Sequence, residues 1–141
     1  NCKSIDKIDG LKFADYISIH LPLNKETKNF IGEKELLVMK KTAIIVNTAR
    51  GGIINEDSLV KALKNKKILG AGLDVFAKEP PIKNHPIFNL VNVVLSPHNA
   101  ALTLECRKRM AIEAAKNITF FLTDKKLLNL KNIVNKDKLK I

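Results

Sequence analysis

The sequence is short of cysteine, of arginine and of long apolar runs, and each shortage removes a class of protein. Only Cys2 and Cys106 are present. They form no closely spaced pair, so neither a disulfide scaffold nor a thiolate metal or redox centre is expected, and a reducing, cytoplasmic setting fits best. No stretch reaches the roughly 18 to 20 apolar residues that cross a bilayer, and the polar start Asn1-Cys2-Lys3-Ser4 is unlike a signal peptide. No membrane partner is therefore expected. Arginine occurs only at 50, 107 and 109, although the formal net charge is +11. The charge thus comes from lysines scattered along the chain. Their pairs, Lys40-Lys41, Lys66-Lys67 and Lys125-Lys126, have no aromatics between them for base stacking. We read a solvated basic surface and no nucleic-acid partner. A Gly-x-Gly-x-x-Gly loop is also missing before the first strand-like run, so these residues hold no pyrophosphate cradle of that type.

The 141 residues suffice for one domain with a core. Apolar runs of strand length stand at 15–20, 43–47, 71–76 and 92–95, with helical patterns between them. Strands alternating with helices imply an α/β fold with a parallel sheet. The segment 32–41 carries Leu36, Leu37 and Met39 among charges. Asn55 has the character of an N-cap for a helix over 56–66, whose Leu59, Ala62 and Leu63 share a face. From 103 to 122 the spacing of Met110, Ala114, Asn117, Ile118 and Phe121 predicts one long helix with a packing stripe. The tail over 127–141 is lysine-rich and thinly apolar, and no internal repeat is visible.

Three short segments carry the chemistry: NTARGG at 47–52, DVFAKEPP at 74–81 and SPHNA at 96–100. They present Arg50, Glu79 and His98 in that order. An arginine can clamp a carboxylate through two parallel hydrogen bonds, and a histidine exchanges a proton near neutral pH. A carboxylate beside that histidine fixes its tautomer and favours the charged ring. Singly, each residue has a bland reading: a turn arginine, a surface glutamate, a structural histidine. The rarity of arginine and the intact surrounding motifs favour a site for 2-oxo or 2-hydroxy acids. His85, in a loop beside Pro86, reads as incidental, and no metal site is expected.

These motifs, with His20-Leu21-Pro22-Leu23 and Thr27, Gly70 to Phe76, and Ser96-Pro97-His98 followed by Thr103, closely resemble the D-isomer-specific 2-hydroxyacid dehydrogenases. That family includes phosphoglycerate, glycerate and D-lactate dehydrogenases, and joint order and spacing make the resemblance specific. It implies that Arg50 binds the substrate carboxylate and polarises its carbonyl, that His98 is the proton donor and acceptor, and that Glu79 orients His98. It also implies an NAD site, with NADP not excluded. His20, Leu21, Pro22 and Thr27 would lie on the adenosine and ribose side, and Thr48, Ala49, Arg50, Asp74, His98 and Ala100 near the nicotinamide. Asp74 has the alternative role of a strand-end cap. Asn24-Lys25, Asn55 and Asn99 depart from commoner family residues and affect loop details.

The implied fold is a doubly wound (Rossmann-type) parallel sheet, here an NAD-binding domain lacking its first two strands. Residues 1–125 would form this partial domain, and 126–141 a tail returning to an absent substrate domain. In the strand order 3-2-1-4-5-6 the first strand present would be parted from its next neighbour. Either residues 15–20 shift to pair directly with 43–47, or another chain fills the gap. We expect the later part of a longer, homo-oligomeric oxidoreductase that acts on a hydroxypyruvate, glyoxylate or phosphoglycerate type of substrate. A nucleotide-sensing corepressor of the same fold and an inactive fragment are the alternatives.

Overall fold

The computed structural model describes residues 2–123 and 133–135. The chain divides into two compact units, Asn1–Ala100 and Ala101–Ile141. Most of the expected tail over 126–141 lies outside the described residues.

The first unit is a parallel sheet with helices. Asp6 caps α1 (Lys7–Phe13) by accepting from the amides of Ile8 and Asp9, and Leu11 is its buried residue. β1 (Tyr16–Ile19) follows, then α2 (Glu33–Val38), β2 (Ile44–Asn47), α3 (Glu56–Lys64), β3 (Gly70–Leu73), a 3-10 turn (Pro86–Asn89) and β4 (Val93–Leu95). Asn55 is the N-cap of α3, with Oδ1 2.9 Å from the Ser58 amide. Leu59, Ala62 and Leu63 form its buried face. In α2, Leu36 is buried while Leu37 is exposed.

All strands are parallel and lie in chain order, β1-β2-β3-β4. Tyr16 pairs with Ile44 and Ile19 with Asn47, so there is no gap between the first two strands. Direct pairing is the arrangement present, and it satisfies the backbone groups along the edge the two strands share. Ile31, Leu36, Ile45, Ile53, Leu59, Leu63, Ile68 and Ile87 make up the most deeply buried part of the core.

The third strand is shorter than the apolar run suggests. It stops at Leu73 because the amides of Phe76 and Ala77 are taken by carboxylates, not by a neighbouring strand. In the second unit α4 (Leu104–Thr123) matches the expected long helix, and none of its residues is buried. No helix among the described residues is long and apolar enough to cross a membrane.

Candidate active site

Parallel strands place all their carboxyl ends on one edge, and that edge carries the singled-out residues. His20 follows β1, Thr48 to Arg50 follow β2, Asp74 follows β3, and Ser96 to His98 follow β4.

The loop after β2 is built by buried Asn47. Its Nδ2 donates to the Arg50 carbonyl at 2.9 Å, and its Oδ1 accepts from the Ala49 amide at 3.0 Å. Arg50 is exposed, and its Nη1 donates to the Ala49 carbonyl at 2.6 Å. Gly51 then passes so close to the Phe76–Ala77 backbone that any Cβ would overlap the Phe76 carbonyl. Glycine is required at this joint, which seats the arginine loop against the segment bearing Glu79.

Glu79 Oε1 accepts from the Phe76 amide at 3.0 Å, and Oε2 lies 2.7 Å from His98 Nδ1. The Phe76 amide is the main influence holding the Glu79 carboxyl below its ordinary pKa. The His98 hydrogen bond and the charges of His98 and Arg50 add to it, against a smaller opposing effect of burial. An ionised Glu79 accepts a hydrogen bond from Nδ1–H, which leaves Nε2 to meet a substrate. The two side chains are 36% and 47% exposed, so the pair is open to a ligand.

His98 adopts a left-handed backbone conformation, φ 54°. That costs a non-glycine residue about 1–2 kcal/mol. Asp74 offsets the cost: Oδ1 accepts from Ser96 Oγ at 2.5 Å and from the Asn99 amide at 2.8 Å, and Oδ2 accepts from the Ala100 amide at 2.9 Å. Burial tends to raise the Asp74 pKa, but these three bonds and the charge of His98 outweigh it and hold the carboxyl low. Asp74 thus anchors the loop after β4. The Ala100 amide is likewise committed to Asp74.

Beside the dyad lies an open crevice of 410 Å³, lined by Phe76, Pro80, Phe88, Leu95 and Pro97 together with Asp74, Glu79 and His98. Asp74, Glu79 and His98 are thus brought together, and Arg50, outside the crevice lining, acts on Glu79 through its charge. His20, Leu21, Pro22 and Thr27 sit on the loop after β1, at the same end of the sheet but beyond β2. There His20 Nε2 lies 2.7 Å from Ser18 Oγ, and the Thr27 hydroxyl donates to the Pro22 carbonyl at 2.6 Å. Thr27 therefore builds this loop. Sequence reasoning gave no role to Asn47, whose partners are in its own loop, or to Gly51, Ser96 and Glu56, whose partners lie on other loops. His85, in the loop before the 3-10 turn, lies 3.2 Å from Glu56.

The chain is an α/β protein with a histidine–carboxylate dyad and a guanidinium at the carboxyl ends of its strands. Residues 2–100 match the family model described as D-isomer specific 2-hydroxyacid dehydrogenase, NAD binding domain, and the chain belongs to that family. It is 52% identical over 124 residues to a glyoxylate reductase of Aeropyrum pernix, covering 88% of this chain and 37% of that protein. To a D-3-phosphoglycerate dehydrogenase of Methanocaldococcus jannaschii it is 44% identical, covering 93% of this chain and 25% of the relative. Among solved structures, an acyclic imino acid reductase in complex with NADPH and D-Arg superposes with a TM-score of 0.78 at 39% identity, over 86% of this chain and 38% of that one. The chain thus spans well under half the length of the relatives it matches.

Proposed function

We propose that the chain is the part of an NAD-dependent reductase that supplies the acid–base dyad and the substrate clamp for a small 2-oxo acid of the glyoxylate or hydroxypyruvate type. The observation that carries this reading is the 2.7 Å contact between His98 Nδ1 and Glu79 Oε2 at the mouth of the crevice. The fit to a dinucleotide is one-sided. Thr48 and Ala49, on the loop after β2, are the residues that would meet a nicotinamide, whereas the pyrophosphate needs a glycine-rich loop that these residues do not contain. When bound, the nicotinamide supplies hydride to the carbonyl carbon or accepts it from the alcohol.

The remaining chemistry belongs to the side chains. Arg50 holds the substrate carboxylate and draws electron density to the carbonyl oxygen. As the C–O π bond breaks, His98 gives its Nε2 proton to that oxygen. Glu79 keeps the ring oriented through Nδ1 and stabilises its charged form before transfer. Oxidation runs the same steps backwards, with His98 as base.

Turnover with glyoxylate and hydroxypyruvate, followed by NADH absorbance, tests the proposal in the complete polypeptide that carries this chain. We expect NADH consumption there. The 141 residues alone should bind NADH weakly and show no turnover, because they lack a pyrophosphate cradle. Micromolar NADH binding by the isolated chain in calorimetry would contradict the one-sided fit. Absence of turnover on any 2-oxo acid by the complete polypeptide would favour a nucleotide-sensing role.

A further inference from the structure

Two successive amides, those of Phe76 and Ala77, donate to two different glutamates. Phe76 N–H binds Glu79 Oε1, and Ala77 N–H binds Glu56 Oε1. Each glutamate then offers its second oxygen to a histidine: Glu79 Oε2 to His98 at 2.7 Å, and Glu56 Oε2 to His85 Nε2 at 3.2 Å. The second pair is the more enclosed, with side chains 17% and 13% exposed for Glu56 and His85. His85 is itself held from both sides. Its Nδ1 accepts from the Ile87 amide at 3.3 Å, which puts the ring proton on Nε2, facing Glu56. Its ring meets those of Phe76 and Phe88 edge to face at 6.3 and 5.9 Å.

We infer that Glu56 and His85 form a positioning pair for the acid–base dyad, fixing the Phe76–Ala77 turn so that Glu79 meets His98 at hydrogen-bond distance. The inference rests on the catalytic reading of Glu79 and His98. Glu56 starts α3, a rigid element packed into the core through Leu59 and Leu63, so it offers the turn a fixed anchor. His85 restrains the free oxygen of Glu56 and ties the same turn to the 3-10 segment. Without Glu56 the Ala77 amide has no acceptor and the turn can drift. Glu79, bound to the adjacent amide, drifts with it. The charged groups around His98 are Glu79, Asp74 and, through Glu79, Arg50. Loosening the nearest of them weakens the preference for the imidazolium, although neither Glu56 nor His85 touches substrate.

The test is the pH profile of 2-oxo acid reduction in the complete enzyme, comparing parent, Glu56→Ala, Glu56→Gln and Glu79→Gln. Glu56→Ala is expected to lower kcat about tenfold or more. Its alkaline limb should move to lower pH by about 0.5 to 1 unit, in the same direction as that of Glu79→Gln. KM for NADH should be unchanged. Glu56→Gln keeps an oxygen for the Ala77 amide, so it should recover much of the rate and shift the limb less. If Glu56→Ala does not fold, a displaced limb in Glu56→Gln supports the inference and an unmoved one overturns it. Loss of rate with an unmoved limb marks a merely structural glutamate and overturns it as well. A response confined to Glu79→Gln rejects the positioning pair alone, whereas unmoved limbs in all three variants reject the catalytic reading with it.

Discussion

Replacing Arg50 with lysine in the complete enzyme should lower kcat/KM for a 2-oxo acid by on the order of 10² to 10³, the range seen when a donor to a developing oxyanion is removed. The dissociation constant for NADH should change less than about twofold. The charge survives in this variant, so an ordinary electrostatic attraction is not what is lost. An ammonium cannot present two parallel N–H groups to a carboxylate while its position is fixed by the loop. In the structure the guanidinium is oriented by its bond to the Ala49 carbonyl, and the loop beneath is closed by Asn47. Steady-state kinetics with calorimetry for NADH check this. Unchanged catalytic efficiency would remove Arg50 from the site.

Gly51→Ala should be nearly as damaging to activity, by on the order of 10²-fold, although the residue offers no functional group. The added methyl would overlap the Phe76 carbonyl, which is backbone and cannot rotate away as a side chain can. Relief requires the arginine loop and the Glu79 segment to separate, and overpacking of this kind costs about 1–3 kcal/mol in stability as well. Gly72→Ala is the control. Its methyl would meet the Val46 side chain at an ordinary contact distance of 3.5 Å, so activity and melting temperature should change little. Equal behaviour of the two variants would show that the close approach at Gly51 has no part in assembling the site.

The strands were legible because strands within a parallel sheet are buried on both faces and read as short continuous apolar runs, as in Ile44-Ile45-Val46. Asp74-Val75-Phe76 extended that signal falsely: the amides that end the strand are captured by Glu79 and Glu56, and the capture by Glu56 spans 21 residues. Helix α1 gave little signal, since Gly10 weakens its propensity and it buries only Leu11. Strand order is a property of the whole sheet, so the neighbour of β1 could not be read locally. Arg50, Glu79 and His98 were singled out through their motifs, and Glu79 and His98 meet at 2.7 Å. The left-handed backbone at His98, the three bonds that hold it through Asp74 and the Glu56–His85 pair arise only where separate loops meet.

The pH dependence of reduction in the complete enzyme, with parent, Glu79→Gln and His98→Ala compared, tests the central claim most directly. It applies where a primary deuterium isotope effect from labelled NADH shows that chemistry limits the rate. With His98 as the proposed proton donor, the parental rate should fall on the alkaline side. The glutamine in Glu79→Gln withdraws the negative charge that favours the imidazolium, and the alkaline limb should therefore move to lower pH, with a smaller loss in acid. His98→Ala has no proton donor at any pH and should be slower by about 10² to 10⁴ across the whole range. A Glu79→Gln profile superimposable on the parent, or a His98→Ala enzyme that keeps the parental alkaline limb, would contradict the assignment of the dyad.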